Sequence, residues 1–401
     1  MTPTTPDAAA VLNRPLDLPC GVRLKNRLVK AAMSDSLGDG AGNPTGAQMR
    51  LYERWAQGGA ALSLIGEVQT GPHYPERPGN LVLVADADMA ALQRLARRGA
   101  VNGAQIWPQL GHAGALAYPP LSARKGPSAL DIAGLRCGGL SLEEVHELPG
   151  AYARAAVLAQ KAGFGGVELH AGHGFLLSQF LSPLFNRRED AYGGSIENRF
   201  RIIGEVLEAI RHAVGGAFAI GIKINATDKL QGGLTAEEAL QVVRLLDATS
   251  VDLIEISGGT YFPGAESSSD GLSASRPYFA DFARHARECT RIPVVLTGGI
   301  RTREEAAQAL MSGAADAVGL ARAFVLDPSL GKTWLGDTGG DPAFPRFIAP
   351  PPDAITAWYT MRLAALAEDA EDRFDMSPEA ALAAWEARDR ARCARWQERF
   401  S

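Results

Sequence analysis

The pattern that most limits the fold is an alternation. Short apolar, strand-like runs at 28–33, 60–67, 104–110, 166–170, 219–225, 252–257, 293–297 and 316–320 take turns with helix-period segments at 46–57, 86–98, 142–162, 195–213, 235–248, 278–290 and 302–311. An eighth helical segment, AITAWYTMRLAALAEDA, begins after Asp353. Nearly continuous apolar strands, each followed by a helix, belong to a parallel sheet covered on its faces. Eight such pairs close a barrel rather than leave an open sheet, so the expected fold class is α/β, a (β/α)8 TIM barrel. The short lead-in before residue 28 suits a hairpin that closes the barrel base.

Three additions depart from a minimal barrel. Residues 113–141, with Pro119-Pro120 and Pro127, form an insertion after the third strand, on the C-terminal face where barrel active sites lie. Residues 336–352, GDTGGDPAFPRFIAPPP, read as an irregular linker. Ser377-Pro378 then opens a terminal helix, giving an expected division into a barrel over 1–371 and a helical extension over 372–401. On that helix Leu382, Trp385, Cys393, Trp396 and Phe400 fall near one stripe, which covers the barrel or meets a second copy of the chain as a homo-oligomer. Arg388, Arg390, Arg392, Arg395 and Arg399 interleave with Glu386, Asp389 and Glu398, the pattern of a solvated face.

Composition mostly excludes. A net charge of −5 gives no reason to expect a nucleic-acid partner. Cys20, Cys137, Cys289 and Cys393 are scattered with no CxxC pair, which argues against an iron–sulfur or zinc site and fits a reducing compartment. The N-terminus has no basic n-region followed by an apolar stretch, and no run approaches the length needed to span a bilayer. The expectation is a cytoplasmic protein with no membrane partner.

In a barrel the chemistry is read from the strand C-terminal ends. The seventh strand runs into Gly298-Gly299 and the eighth into Ala321-Arg322. Backbone amides at those two ends, with the Arg322 fork beside them, are the usual phosphate grip of a barrel. Glycines at a tight turn explain the first feature alone; the pair in adjacent final strands favours phosphate. Three other strands carry polar groups where a barrel interior is normally apolar: Gln109, Lys223 and the pair His170 and His173. Gln109 both donates and accepts, which suits a ring edge with alternating N–H and C=O groups. Alternation points Lys223 inward, toward a bound anion or electron-rich ring, or into an ion pair with Glu168 or Glu255. His170 and His173 stand just past a strand end, placed to hold one substrate atom. Two histidines without a third ligand nearby make poor zinc spacing, so no metal is expected.

These residues lie in longer motifs: LKNRLVKAAMS (24–34), QLGHAG (109–114), GFGGVELHAGHGFLLSQFLSPLFNRREDAYGGSIENR (163–199), LIEISGGTY (253–261), TGGIRT (297–302) and ADAVGLARAFVLDP (315–328). Over residues 16–328 the chain closely resembles the Old Yellow Enzyme family of FMN-dependent (β/α)8 oxidoreductases. The 163–199 motif is specific to that family; the others are weak singly.

The resemblance implies tightly bound, non-covalent FMN across the barrel mouth. Its phosphate would rest on Gly298, Gly299, Ala321 and Arg322. Ala31, Ala32, Met33 and Ser34 would follow the isoalloxazine edge, Glu67 or its backbone would approach from the second strand, and Gln109 would meet the pyrimidine edge. Lys223 occupies the usual arginine position, keeping the charge without the planar fork. NADH or NADPH would supply hydride, with no separate Rossmann fingerprint. His170 and His173 would be the catalytic pair, holding the oxygen of an enone-type small molecule in a pocket that includes Ser36, Tyr74, Phe175 and Tyr261.

Two positions depart from the family. Phe175 replaces the tyrosine that protonates the substrate α-carbon and has no proton to give. Tyr74, Tyr118 and Tyr261, on top-face loops, are candidate substitutes. Ser34 replaces a threonine or cysteine. An ene-reductase is therefore the expected function, with the alternative of the same flavin barrel acting as a nitro or nitrate-ester reductase or an amine demethylase. A flavin-free aldolase or isomerase barrel, with Lys223 as a Schiff-base lysine, leaves Gln109 and the two histidines unexplained. A non-catalytic barrel leaves all of them unexplained.

Overall fold

The computed structural model describes residues 7–132, 134–262, 278–336 and 339–400. Eight parallel strands form the barrel: β1 (Leu28–Ser34), β2 (Leu62–Gln69), β3 (Gln105–Gly111), β4 (Gly166–Ala171), β5 (Ala219–Asn225), β6 (Leu253–Ser257), β7 (Val294–Thr297) and β8 (Ala317–Leu320). Each pairs with its neighbours in chain order, and β8 pairs with β1 to close the ring. No edge strand of the barrel is left open, which removes the unpaired backbone groups an open sheet would expose.

The main helices are α1 (Gly46–Gln57), α2 (Met89–Gly99), α3 (Leu142–Ala162), α4 (Ile196–Val214), α5 (Ala236–Asp247), α6 (Ala280–Cys289), α7 (Arg303–Met311), α8 (Ala354–Ala367) and the terminal α9 (Pro378–Phe400). Their starts have local causes. Ser141 with Glu144, Thr235 with Glu238, and Thr302 with Glu305 each form a reciprocal capping box at the head of α3, α5 and α7. Such caps satisfy backbone donors that have no helical acceptor, each worth on the order of 1 kcal/mol. Gly163 ends α3 with φ 88°, a conformation that suits glycine and turns the chain into β4.

The floor of the site is apolar. An antiparallel hairpin of Leu16–Asp17 with Arg23–Leu24 closes the base. Its Leu16, Leu18 and Leu24 pack with Val29, Leu64, Trp107, Leu253 and Val295 in one buried cluster. Fully burying such a side chain contributes roughly 1.5–3 kcal/mol, so the lower barrel is a rigid plug beneath the polar residues above.

The insertion after β3 folds into three short strands, Lys125–Gly126, Leu130–Ile132 and Leu135–Gly139. Helix α9 lies over the loops that follow β1 and β2. Its charged face departs from the solvated face expected of it: Asp389 is fully buried, 3.5 Å from Arg77, and Arg392 donates to the Ser36 carbonyl at 2.6 Å. The Arg77 guanidinium also lies over Trp385, 4.1 Å from its centroid. The stripe itself is inward, with Trp385 and Trp396 buried. No helix among the described residues is long and apolar enough to cross a membrane.

Candidate active site

Side chains alternate along each strand, so every second residue enters the barrel. Above the apolar plug this brings Gln109, Glu168, Lys223, Glu255 and Thr297 into one buried polar layer. Register sets the neighbours: Glu168 stands beside Gln109 and Lys223 beside Glu255. Gln109 donates to Glu168 at 2.7 Å, Lys223 Nζ lies 3.0 Å from Glu255 Oε1, and Thr297 donates to the same oxygen at 2.6 Å. Of the readings open for Lys223, the ion pair with Glu255 is thus formed. Burial first, and then the nearby Glu255 carboxylate, hold Glu168 well above the usual carboxylate range.

One level higher, at the strand ends, sit the two histidines. His170 is beside Lys223 in register, and His173 follows in the loop with φ 57°. The loop is held in that shape from three sides. The His173 amide donates to Asn225 Oδ1 at 2.9 Å, its carbonyl accepts from the Tyr261 amide at 3.0 Å, and Gly174 packs under Thr260. A Cβ on Gly174 would lie 2.1 Å from Thr260 Oγ1, so only glycine fits.

The imidazoles form the middle of a continuous chain. His170 Nδ1 is hydrogen-bonded to Glu67 Oε1, His170 Nε2 to His173 Nδ1 at 2.9 Å, and His173 Nε2 to Ser257 Oγ at 2.9 Å. Burial, reinforced by the Lys223 cation, pushes both histidines far below their ordinary value, so each is a neutral ring with one N–H. Burial also raises Glu67 to about 8, against the opposing pull of Lys223. Phe175 is buried with its ring 4.6 Å from His170, and the exposed Tyr261 stands 5.9 Å from His173 and 6.0 Å from Phe175.

The remaining expected residues divide. Ala31, Ala32, Met33 and Ser34 complete β1, and Ser34 donates to Glu76 at 2.8 Å. Gly298 and Gly299 follow β7 with φ 112° and 82°, while Ala321 and Arg322 follow the adjacent β8. The Arg322 guanidinium lies over Tyr359 at 4.9 Å. Tyr74 packs against the cluster of Ala113, Ala117 and Phe175 and stacks on His112 at 4.6 Å. Ser36 is not brought to the histidines; it is buried under Arg392 of α9. Tyr118 lies beneath Arg77.

Sequence reasoning missed three members. Ser257 ends β6 on the inward parity, and that parity was the available signal. Lys30 is buried against the Ala31 carbonyl and over Trp55, and desolvation lowers it to about 7. Glu76 is half-buried, its carboxyl raised by desolvation, and carried no sequence signal. A cavity of about 830 Å³ lined by Tyr74, His112 and Leu148 and one of about 320 Å³ lined by Tyr74, Trp396 and Phe400 meet at Tyr74. Neither is lined by His170 or His173, and the chemistry-bearing groups decide where the site is. Among the described residues no group of three or more His, Cys, Asp or Glu side chains is arranged to hold a metal ion.

Comparison with known proteins places the chain in a family and supports the fold. The model of the NADH:flavin oxidoreductase / NADH oxidase family matches residues 12–334. The NADH-dependent flavin oxidoreductase iliE of Hypocrea jecorina is 34% identical over 354 residues, covering 80% of this chain and 87% of the relative. Morphinone reductase in complex with tetrahydroNAD superposes with a TM-score of 0.72 at 25% identity, over 85% of this chain and 93% of that one. A 2-naphthoyl-CoA reductase complexed with 2-naphthoyl-CoA gives a TM-score of 0.76 at 25% identity, over 82% of this chain. The match spans about half, 52%, of that larger protein.

Proposed function

The chain belongs to the NADH:flavin oxidoreductase / NADH oxidase family, Old Yellow Enzymes that use FMN and NAD(P)H, and from that premise we propose that it is an ene-reductase. The reaction is reduction of the activated C=C bond of an α,β-unsaturated carbonyl compound. The observation that carries the reading is the adjacency of His170 and His173, 2.9 Å apart and both neutral, at the barrel mouth.

The residues present suit FMN. Glu168 Oε2 and Glu255 Oε2 are buried acceptors without a hydrogen-bond partner, and the ring N3–H and ribityl hydroxyls are donors of the kind they lack. Gly298 has φ 112°, and a Cβ there would come within 3.4–3.5 Å of the Phe279 and Tyr278 rings, so the backbone at this turn is left bare beneath them. In this reading Gly298, Gly299, Ala321 and Arg322 hold the phosphate, and Ala31 to Ser34 with Glu67 flank the ring. Gln109 meets the pyrimidine edge, and Lys223 sets a positive charge beside it. Bound FMN supplies hydride transfer between NAD(P)H and the acceptor.

The protein's own part is electrostatic. A neutral imidazole has one N–H, so His170 and His173 together offer two donors to a carbonyl oxygen, exchanging the bond they share for bonds to substrate. Those bonds strengthen as negative charge gathers on the oxygen, and a dry site magnifies the gain. Phe175 and Tyr74 give the alkene an apolar wall. Because Phe175 offers no proton, a second reading is the same barrel with a nitro or nitrate-ester acceptor, or an amine donor. Anaerobic stopped-flow spectroscopy with cyclohexenone tests the choice: NADPH or NADH bleaches the flavin and the enone restores its colour. Bleaching without enone-driven recovery excludes the ene-reductase and leaves the second reading.

A further inference from the structure

Phe175 leaves an unassigned proton, and the structure holds a buried carboxyl one bond from the histidines. We propose that Glu67 is a proton reservoir acting through His170, supplying the proton that neutralises the anion left on the acceptor once hydride has been transferred. This inference rests on the ene-reductase reading and deepens it.

The geometry supplies the path. Glu67 touches His170, His170 touches His173, and His173 touches Ser257. With Glu67 protonated, its O–H donates to His170 Nδ1, and the single His170 proton sits on Nε2, facing the shared site. An acceptor oxygen held there takes that Nε2 proton, and Nδ1 takes the proton of Glu67. One O–H bond forms on the acceptor and one breaks on Glu67. His170 ends neutral in its other tautomer, and Glu67 ends as a carboxylate. No imidazolium is left behind, which matters where burial and Lys223 both disfavour a charged ring. The enol product becomes ketone in solvent, so no α-carbon donor is required. The electrons come from NAD(P)H and the replacement proton from water.

Two observations favour a carboxyl that is protonated at rest. Glu67 Oε2 is buried with no partner, and an unpartnered neutral oxygen costs far less than an unpartnered anion. Its surroundings are Lys223 from β5, His170 from β4, Glu76 from the loop after β2 and Tyr152 from α3. Lys223 alone among these is a cation, and it is already paired with Glu255. Glycine at position 111 leaves the room the carboxyl occupies, since a Cβ there would lie 1.9 Å from Glu67 Oε2.

The test uses the FMN-loaded protein and the variant Glu67→Gln, which keeps shape and a donor to His170 but has no proton to release. Infrared difference spectra of the wild type near neutral pH should contain the C=O stretch of a protonated carboxylic acid that is lost at alkaline pH and missing from E67Q. In stopped flow, E67Q should slow recovery of flavin absorbance by cyclohexenone roughly tenfold or more relative to its bleaching by NADH. Recovery in the wild type should fall as pH rises through the Glu67 ionisation, and E67Q should be flat. Gly111→Ala, which displaces the carboxyl without removing it, should reproduce the slowing if E67Q does not fold. Absence of the carboxylic acid band, or equal slowing of both phases with the pH profile intact, overturns the relay. If cyclohexenone does not reoxidise the wild type, the ene-reductase reading fails, and the infrared band alone decides whether Glu67 stores a proton.

Discussion

Lys223 and Glu255 face each other on adjacent strands, Nζ 3.0 Å from Oε1, both sealed from solvent. The pair explains how a lysine can sit inside a barrel. Its cation is neutralised on one side by Glu255, itself steadied by Thr297, while its field still reaches His170, His173 and Glu67. Removing one partner strands the other charge, so Glu255→Leu should destabilise the protein by about 3–5 kcal/mol. The double variant Lys223→Met with Glu255→Leu should recover most of that loss while losing FMN. Urea unfolding of the four combinations, with flavin content measured on each, checks both parts.

The barrel was legible because each strand and helix carries its own periodicity. The expected 219–225, 46–57 and 142–162 coincide with β5, α1 and α3. The limits drift where a strand end is polar: β2, expected over 60–67, runs on past Glu67 to Gln69, which a hydrophobic run does not mark. Contacts between distant elements were not legible. Glu67 and His170 are 103 residues apart, and nothing in either segment names the other. Asp389 misleads for the same reason: in an Arg- and Glu-rich helix it looks solvated, and its partner Arg77 lies in a loop more than half the chain away. Periodicity reports which face is buried, not which side chains meet there.

Gly298 has φ 112°, and a Cβ added to it would meet the Phe279 and Tyr278 rings at 3.4–3.5 Å. An alanine there must adopt a backbone conformation costing on the order of 1–3 kcal/mol. The change falls at the expected phosphate turn, so Gly298→Ala should weaken FMN retention tenfold or more while leaving the far-ultraviolet circular dichroism unaltered. Fluorescence of released flavin during dialysis measures it.

The ionisation of Glu67 should also be visible in stability. Its folded value of about 8 lies above the ordinary 4.5, so the folded state binds the extra proton between those limits. Stability from this group is complete below 4.5 and is lost as pH rises through about 8. Lys30, lowered from 10.5 to about 7, acts with the opposite sign over a higher window, which is why a variant comparison is needed. Wild type minus Glu67→Gln should fall by a few kcal/mol across that range, with Lys30 cancelling. Urea midpoints on FMN-free protein at a series of pH values give the difference directly.

Phe175 is where the proton half of the chemistry is most open to repair. Its ring is buried 4.6 Å from His170 and packs with Ala113 and Ala117, so Phe175→Tyr adds one hydroxyl to an existing shape. If that hydroxyl reaches the α-carbon it becomes a general acid, and positioned acids contribute about 100-fold or more. Recovery of flavin absorbance by cyclohexenone should therefore accelerate in F175Y. Its rate should lose the dependence on Glu67, so that Glu67→Gln is harmful alone and nearly silent in the F175Y background. Product formed in deuterium oxide from a 2-methyl enone should shift from mixed to single configuration at the α-carbon, because protonation moves from solvent to the site. A wild-type product that already has one configuration would show instead that a donor stands over the α-carbon, with Tyr261, 6.0 Å from Phe175, the first residue to substitute.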